Sequence, residues 1–248
     1  MIAVIIQARM GSTRLPGKIL KELAGKPMLW HVVNRAKHAK KVDKVIVATT
    51  IEKEDDIVEE LAKKEGWDYF RGSADNVLER YYKAAKQAGA DVIVRITSDC
   101  PLIDPEIIDG CVEAFRNQKC DYISNTSLGD VRGLPRGIDD IEIFSIHALE
   151  KARNEAKEMY GKEHVTPYIW ENKRNIFTIG KGPRLKDIYA RNYRLTVDYP
   201  EDFEVIKAVY NSFSSHSQIF LTEHIISFLD SRPDIVVMNA HCVQKPVT

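Results

Sequence analysis

Long hydrophobic runs are missing from this 248-residue chain. No apolar stretch approaches the roughly 20 residues that span a bilayer, so no membrane span is expected. A surplus of one charge is missing too: Lys+Arg and Asp+Glu are both 36. Bulk charge therefore argues against a nucleic-acid or membrane-surface partner, and any basic site must be local. The four cysteines, Cys100, Cys111, Cys120 and Cys242, form no C-x-x-C pair. Free thiols in a cytoplasmic protein follow. None of the seven histidines belongs to an H-E-x-x-H motif, which removes the common zinc-hydrolase reading. The opening "MIAVII" has no preceding basic residue, is short for a signal-peptide core and runs into Arg9, so it is not read as a secretion signal. There is no Gly/Ser/Pro-rich linker, low-complexity tract or internal repeat.

What is present is alternation. Apolar runs at Ile2–Ala8, Lys44–Thr50, "WDYF" and "DVIVRIT" read as strands. Between them lie amphipathic stretches. "KPMLWHVVNRAKHA" carries Pro27 in its first turn, and "EDDIVEELAKKEG" has acids first, lysines last and Gly66 as a stop. "ADNVLERYYKAAKQAGA" and "DPEIIDGCVEAFRNQ" follow, the latter with Asp104 as its cap and Pro105 opening the helix. Strands alternating with helices of 10 to 15 residues predict an α/β fold with a mostly parallel, doubly wound sheet. Ligands of such sheets bind at the carboxyl ends of strands, here the loops after Ala8, Thr50, Phe70 and Thr97. From about residue 128 the rhythm changes. "DYIS", the alternating run ending "IEIF", "NIFTIG" and "YRLTVD" read as strands. "SIHALEKARNEAKEMYG", "KEHVTPYIWENK", "PEDFEVIKAVYNSF" and "LTEHIISFLDSR" read as helices.

The first of those loops, "QARMGSTRLPGKIL", holds glycines and cations and no acid. It is not G-x-G-x-x-G. As G-x-x-x-x-x-G-K-I it has one residue too many for a Walker loop and lacks its magnesium-binding hydroxyl, which argues against a P-loop ATPase. Backbone N–H groups around Gly11 and Ser12, with Arg9, Arg14 and Lys18, instead suit a triphosphate: arginine forks, a lysine point charge and an anion-binding nest.

"ARMGSTRLPGK" resembles the N-terminal signature of the CMP-sugar synthetases, roughly A-R-x-x-S-x-R-L-P-x-K, at Arg9, Ser12, Arg14, Leu15, Pro16 and Lys18. "FRGSADNVLERYY", "RITSDCPLIDP", "EHVTPYIW" and "RLTVDYPEDF" are similar to the SpsF-type spore-coat polysaccharide branch of that family, and the likeness runs to about residue 210. The resemblance implies a GT-A-like nucleotidyltransferase fold in one domain over 1–248, with about 128–195 forming an acceptor-side and dimerisation portion. The implied activity is transfer of CMP from CTP to an acidic or otherwise activated sugar, with release of pyrophosphate. It also implies that Arg9, Ser12, Arg14 and Lys18 hold the triphosphate and that the protein is a homodimer.

Nucleotidyl transfer requires a divalent cation on hard oxygen ligands. By the same resemblance Asp99 in "SDCPLID" and Asp198 in "VDYPED" are the Mg2+ ligands, with Ser98 standing where many relatives have glycine. Helix capping is the ordinary alternative for each. Ala8, Gly11, Arg71, Ser73, Asp75, Thr97 and Ser98 join the nucleotide-binding set by their position at strand ends, although Ser73 and Asp75 could equally cap the next helix. Arg95, within an apolar strand, needs a buried partner or a ligand. Arg136, Glu142, His164 and Arg194 are the acceptor candidates, the first two from a run that also holds Arg132, Asp139 and Asp140. Two rival functions are a glycosyltransferase using a nucleotide-sugar and a nucleotide-binding protein without catalysis. The first normally needs a D-x-D motif, which this chain lacks; retention of Asp99 and Asp198 argues against the second.

Overall fold

The computed structural model describes residues 1–125, 135–138, 140–213 and 219–243. In chain order the elements are β1 (Ile2–Gln7), β2 (Glu22–Leu23), β3 (Lys26–Pro27), α1 (Met28–Lys37), β4 (Lys44–Thr50), α2 (Asp56–Lys64), β5 (Asp68–Gly72), α3 (Val77–Ala88) and β6 (Val92–Thr97). They continue with α4 (Pro105–Gln118), β7 (Tyr122–Ser124), β8 (Glu142–Ser145), α5 (Ile146–Glu155), α6 (Met159–His164), α7 (Pro167–Trp170), α8 (Pro200–Phe213), α9 (Thr222–Asp230) and α10 (Pro233–Val236). Six strands form one sheet in the order β5-β4-β1-β6-β8-β7. The β1–β4, β1–β6 and β4–β5 pairs are parallel, whereas β8 runs antiparallel to both β6 and β7. Only β8 is therefore reversed, and the sheet is mostly parallel.

The sheet is apolar on both faces, as parallel sheets must be when helices cover them. Val4, Ile6, Val47, Val94 and Ile96 pack with α1, α2, α4, α8 and α9. Ala3, Ile5, Ile46, Ala48 and Ile93 face the other way and pack with α3, α5 and α7. Alternate residues of one strand thus serve two separate cores. The order reverses beside β1: α1 returns the chain to β4 on one side, and α3 carries it back to β6 on the other. The carboxyl ends of β1 and β6 are adjacent, with Gln7 paired to Thr97. This switch point is where an open α/β sheet forms a crevice.

Several local expectations differ in the structure. Pro27 precedes α1 as its cap rather than sitting in its first turn. The stretch expected as one helix through Gly161 ends at Glu155, and the next is broken between His164 and Pro167, where Val165 has φ 70°. "NIFTIG" and "YRLTVD" form no strand, only the bridges Tyr122–Ile179 and Arg136–Arg194. The physical reason is visible in the second: Val197 N–H donates 2.8 Å to Asp99 O, so this segment pairs with a loop rather than with the sheet. Among the described residues no helix is long and apolar enough to cross a membrane, and all four cysteines are free thiols.

Candidate nucleotide-binding site

The loop after β1 is held in shape by its own backbone and by one buried acid. Ser12 N–H and Gly17 N–H both donate to Met10 O, at 2.7 and 3.3 Å. Met10 N–H donates 2.7 Å to Asp55, a fully buried carboxylate that also accepts from the Thr50 hydroxyl. Gly17 has φ 65°, a left-handed conformation that is cheap for glycine and turns the chain into the short helical turn bearing Lys18. The loop closes over a cavity of about 400 Å³ at the switch point. Ala8, Arg9, Gly11, Ser12, Arg14, Lys18, Asp75, Thr97, Ser98, Asp99, His164 and Asp198, distant in sequence, all line it.

Lys18 stands at the centre of the charged end. Its ammonium lies 3.3 Å from Asp99 Oδ2, 3.2 Å from Asp198 Oδ1 and 2.6 Å from Val197 O. Burial would lower its pKa, but the two carboxylates outweigh that and hold it above the usual lysine range. Burial pushes Asp99 the other way, and the Lys18 charge overcomes it, so Asp99 stays below its usual range. Asp198 also pairs with Arg14 Nη2 at 2.9 Å and Arg194 Nη2 at 3.0 Å. Asp202, fully buried, accepts from the Asp198 and Tyr199 N–H groups and pairs with Arg194 Nε at 2.8 Å. The start of α8 is fixed by this acid, which in turn fixes the Asp198 carboxylate. Tyr199 lies under the Arg14 guanidinium, 5.0 Å from ring centre to Cζ. Three acids and three cations therefore balance locally.

Beneath Asp99, Asp140 accepts from the Thr97 hydroxyl at 3.0 Å and the Cys100 thiol at 3.3 Å. Burial, and then the Asp99 charge, raise its pKa. Asp99, Cys100 and Asp140 offer ligand atoms within 4.8 Å of one another. Hard oxygen donors on Asp99 and Asp198, drawn around one ammonium, suit a small divalent cation in the same way.

Other sequence-derived candidates lie elsewhere. Arg71 is not on the cavity. Its guanidinium donates to Asp56 and Glu59, both at 2.7 Å, and to the Thr50 and Glu52 carbonyls, because α2 presents acids beside the end of β5. Ser73 accepts from Asn76 N–H and its side chain serves the turn before α3, although its neighbours Ala74 and Asp75 do reach the cavity. Glu142 is also off the cavity: buried, it pairs with Arg95 and accepts from Tyr122 Oη and Thr166 Oγ1, each at 2.6 Å. That ion pair answers the need of Arg95, whose position on β6 faces β8. Arg136 is exposed in a different cleft with Asn192, Tyr193 and Arg194. Arg194 acts on the cavity through Asp198 and Asp202. Asp140 supports Thr97 from beneath instead of facing the cavity. Arg132 and Asp139 lie outside the described residues.

Sequence reasoning missed Arg80, Met159 and Glu163, which also line the cavity, as do Gln7, Thr13, Ala74 and Val77. Arg80 lies on a helical face that reads as core. Met159 and Glu163 come from α6, whose break from α7 no periodicity announced. Asp55 also escaped notice, since a carboxylate before a helix looks like an ordinary cap.

A basic loop at the switch point of a mostly parallel sheet, ion-paired with two carboxylates at one end of a cavity, defines an α/β protein with a crevice suited to an anionic ligand. The cytidylyltransferase family model matches residues 3–225, and the chain belongs to that family. It is 37% identical over 239 residues to the spore coat polysaccharide biosynthesis protein SpsF of Bacillus subtilis, covering 94% of this chain and 95% of that one. It is 42% identical over 116 residues to the 3-deoxy-manno-octulosonate cytidylyltransferase of Anaeromyxobacter dehalogenans, covering 46% and 47% of the two chains. A cytidylyltransferase structure from Leptospira borgpetersenii superposes with TM-score 0.86 at 38% identity, over 95% of this chain and 96% of that one.

Proposed function

We propose that the protein is a Mg2+-dependent enzyme that transfers CMP from CTP to a sugar, for the assembly of a surface polysaccharide. The observation that carries this reading is Lys18 held between Asp99 and Asp198 at the mouth of the basic loop. Its ammonium is a stand-in for a metal: the same two carboxylates, with phosphate oxygens, make a hard oxygen set for Mg2+. Bound there, the metal would neutralise charge on the phosphates. Arg14 and Lys18, released from Asp198 and Asp99, would turn to the triphosphate with Arg9 and the N–H groups near Gly11 and Ser12. Arg194 and Asp202 keep the Asp198 carboxylate oriented throughout. In the reaction a sugar hydroxyl oxygen bonds to the α-phosphorus, the bond from that phosphorus to the bridging oxygen of pyrophosphate breaks, and the hydroxyl proton passes to solvent or a nearby base.

His164 is the acceptor-side residue that lines the cavity. Burial lowers its pKa, with Glu163 opposing, so it is neutral near pH 7 and able to accept a hydrogen bond from a sugar hydroxyl. The acceptor is read as a sugar acid by likeness to the octulosonate enzyme of Anaeromyxobacter dehalogenans. Homodimer formation belongs to the same reading. Exposed Ile176 lines a second cleft of about 330 Å³ with Tyr160 and Tyr168, an apolar surface that a second copy would cover. Pyrophosphate release measured with each of the four nucleoside triphosphates against a panel of sugar acids and neutral sugars tests the reaction. Release with CTP and one sugar is expected, and no release with any pair refutes it. Light scattering at micromolar concentration tests the dimer, and a mass near that of one chain refutes it.

A further inference from the structure

Arg80 is a buried cation without an anion. It is 2% exposed and lines the same cavity as Asp99 and Asp198. One Nη donates 2.6 Å to Ser73 O, while the Nε hydrogen, fully buried, has no partner. Among the described residues no carboxylate lies within ion-pairing distance. Asp55 attracts it from farther off, but that acid is already engaged by Thr50 and Met10. The like charge of Arg9 opposes it, and so does its position near the positive end of α3. A guanidinium desolvated at this cost persists where a ligand completes it. The fold also makes room for it. A Cβ at Gly72 would meet the Arg80 Cγ at 3.1 Å and Cβ at 3.3 Å, so glycine lets the arginine stem lie across the end of β5.

Its surroundings indicate which part of a nucleotide arrives there. The loop cations Arg9, Arg14 and Lys18 already serve phosphate. Arg80 shares the cavity lining with apolar Ala8, Ala74 and Val77, side chains that suit the faces of a flat ring. Resting on the CTP reading above, we propose that Arg80 reads the Watson–Crick edge of the pyrimidine and so selects cytosine over uracil. Cytosine presents two adjacent acceptors, O2 and N3. Guanidinium offers only donors, in a fork that matches adjacent acceptors, as arginine does on guanine O6 and N7. Uracil carries N3–H, which sets donor against donor and leaves both unpaired.

Calorimetric titration of the full-length protein with Mg2+ and CTP, UTP or pyrophosphate tests this on wild type, Arg80→Gln and Arg80→Lys. A bidentate pair discriminates bases by roughly tenfold to a hundredfold, so both variants should lose that much of the CTP-over-UTP preference. Arg80→Lys keeps the charge and loses the fork, which separates geometry from charge. Pyrophosphate affinity should stay within about twofold, and Arg80→Gln should melt no lower than wild type, because it removes an uncompensated buried charge. An unchanged CTP:UTP ratio overturns the proposal. So does a pyrophosphate loss equal to that for CTP, which would make Arg80 a phosphate contact, and so does wild-type protein that does not prefer CTP. Wild-type protein that prefers CTP but releases pyrophosphate with no sugar overturns the proposed reaction alone.

Discussion

Replacing Asp198 by Asn removes the charge on which three cations converge. Asp198 meets Arg14, Lys18 and Arg194 at 2.9, 3.2 and 3.0 Å, with its side chain only 8% exposed. At an effective dielectric near 20, each unit-charge contact at about 3 Å corresponds to roughly 5 kcal/mol of attraction. Most is offset by desolvation, and Arg14 keeps some access to water. Breaking a buried pair by deleting one partner costs about 3–5 kcal/mol. Asp202 remains to hold Arg194, and the amide still accepts one hydrogen bond, so about 2–3 kcal/mol is expected. For a chain of this length about 1 kcal/mol moves the midpoint by roughly 2–4 °C, so Asp198→Asn should melt roughly 4–12 °C below wild type. The fold should persist, because the cap of α8 comes from Asp202. Turnover should fall by orders of magnitude, since the proposed metal loses one of two protein ligands. Asp99→Asn should behave alike, and the double variant should be scarcely slower than either single one, because ligands of one metal act as a unit. Differential scanning calorimetry without nucleotide and steady-state pyrophosphate release at saturating Mg2+ give the two readouts. An Asp198→Asn midpoint within 1 °C of wild type refutes the charge argument. Near-wild-type turnover in either single variant, or losses that multiply in the double variant, refutes the shared metal.

Lys18→Ala and Arg14→Ala should each weaken CTP binding by about 1–3 kcal/mol, the usual loss of a charge-assisted contact; calorimetric affinities equal to wild type count against it. Glu142→Gln leaves Arg95 buried without its anion, and should destabilise by about 3–5 kcal/mol while CTP affinity is unchanged, as read by urea unfolding and calorimetry. A change in affinity without a change in stability would restore Glu142 to the site. The pH dependence follows from signs. The folded protein holds Asp99 below its ordinary range, so its contribution is complete above about pH 4 and is lost as pH falls through the lowered value. Lys18, held above its ordinary range, contributes below about pH 10 and is lost at more alkaline pH. Lys18→Met should therefore flatten both limbs of a stability–pH curve measured by thermal melts, and parallel curves for the two proteins would contradict the coupling.

The sequence alone determined what depends on neighbours along the chain. Strand and helix periodicity gave the α/β alternation, because side-chain spacing records which faces are buried. Asp104 with Pro105 marked the start of α4, because capping is local chemistry. The basic loop was legible for the same reason: its cations and glycines fall within a dozen residues. Tertiary structure decided every question of partnership. Arg71 and Arg95 are similar arginines at or near strand ends, yet one is taken up by the acids of α2 and the other by Glu142 across β6 and β8. Lys18 meets Asp99 and Asp198, 81 and 180 residues away, only because β6 lies beside β1 and the 197–198 segment pairs with the loop after β6. Arg80 sits on a face whose spacing reads as core. Its unmet hydrogen bond exists only where α3 crosses the end of β5, and no pattern along the chain records which buried charges the fold leaves without a partner.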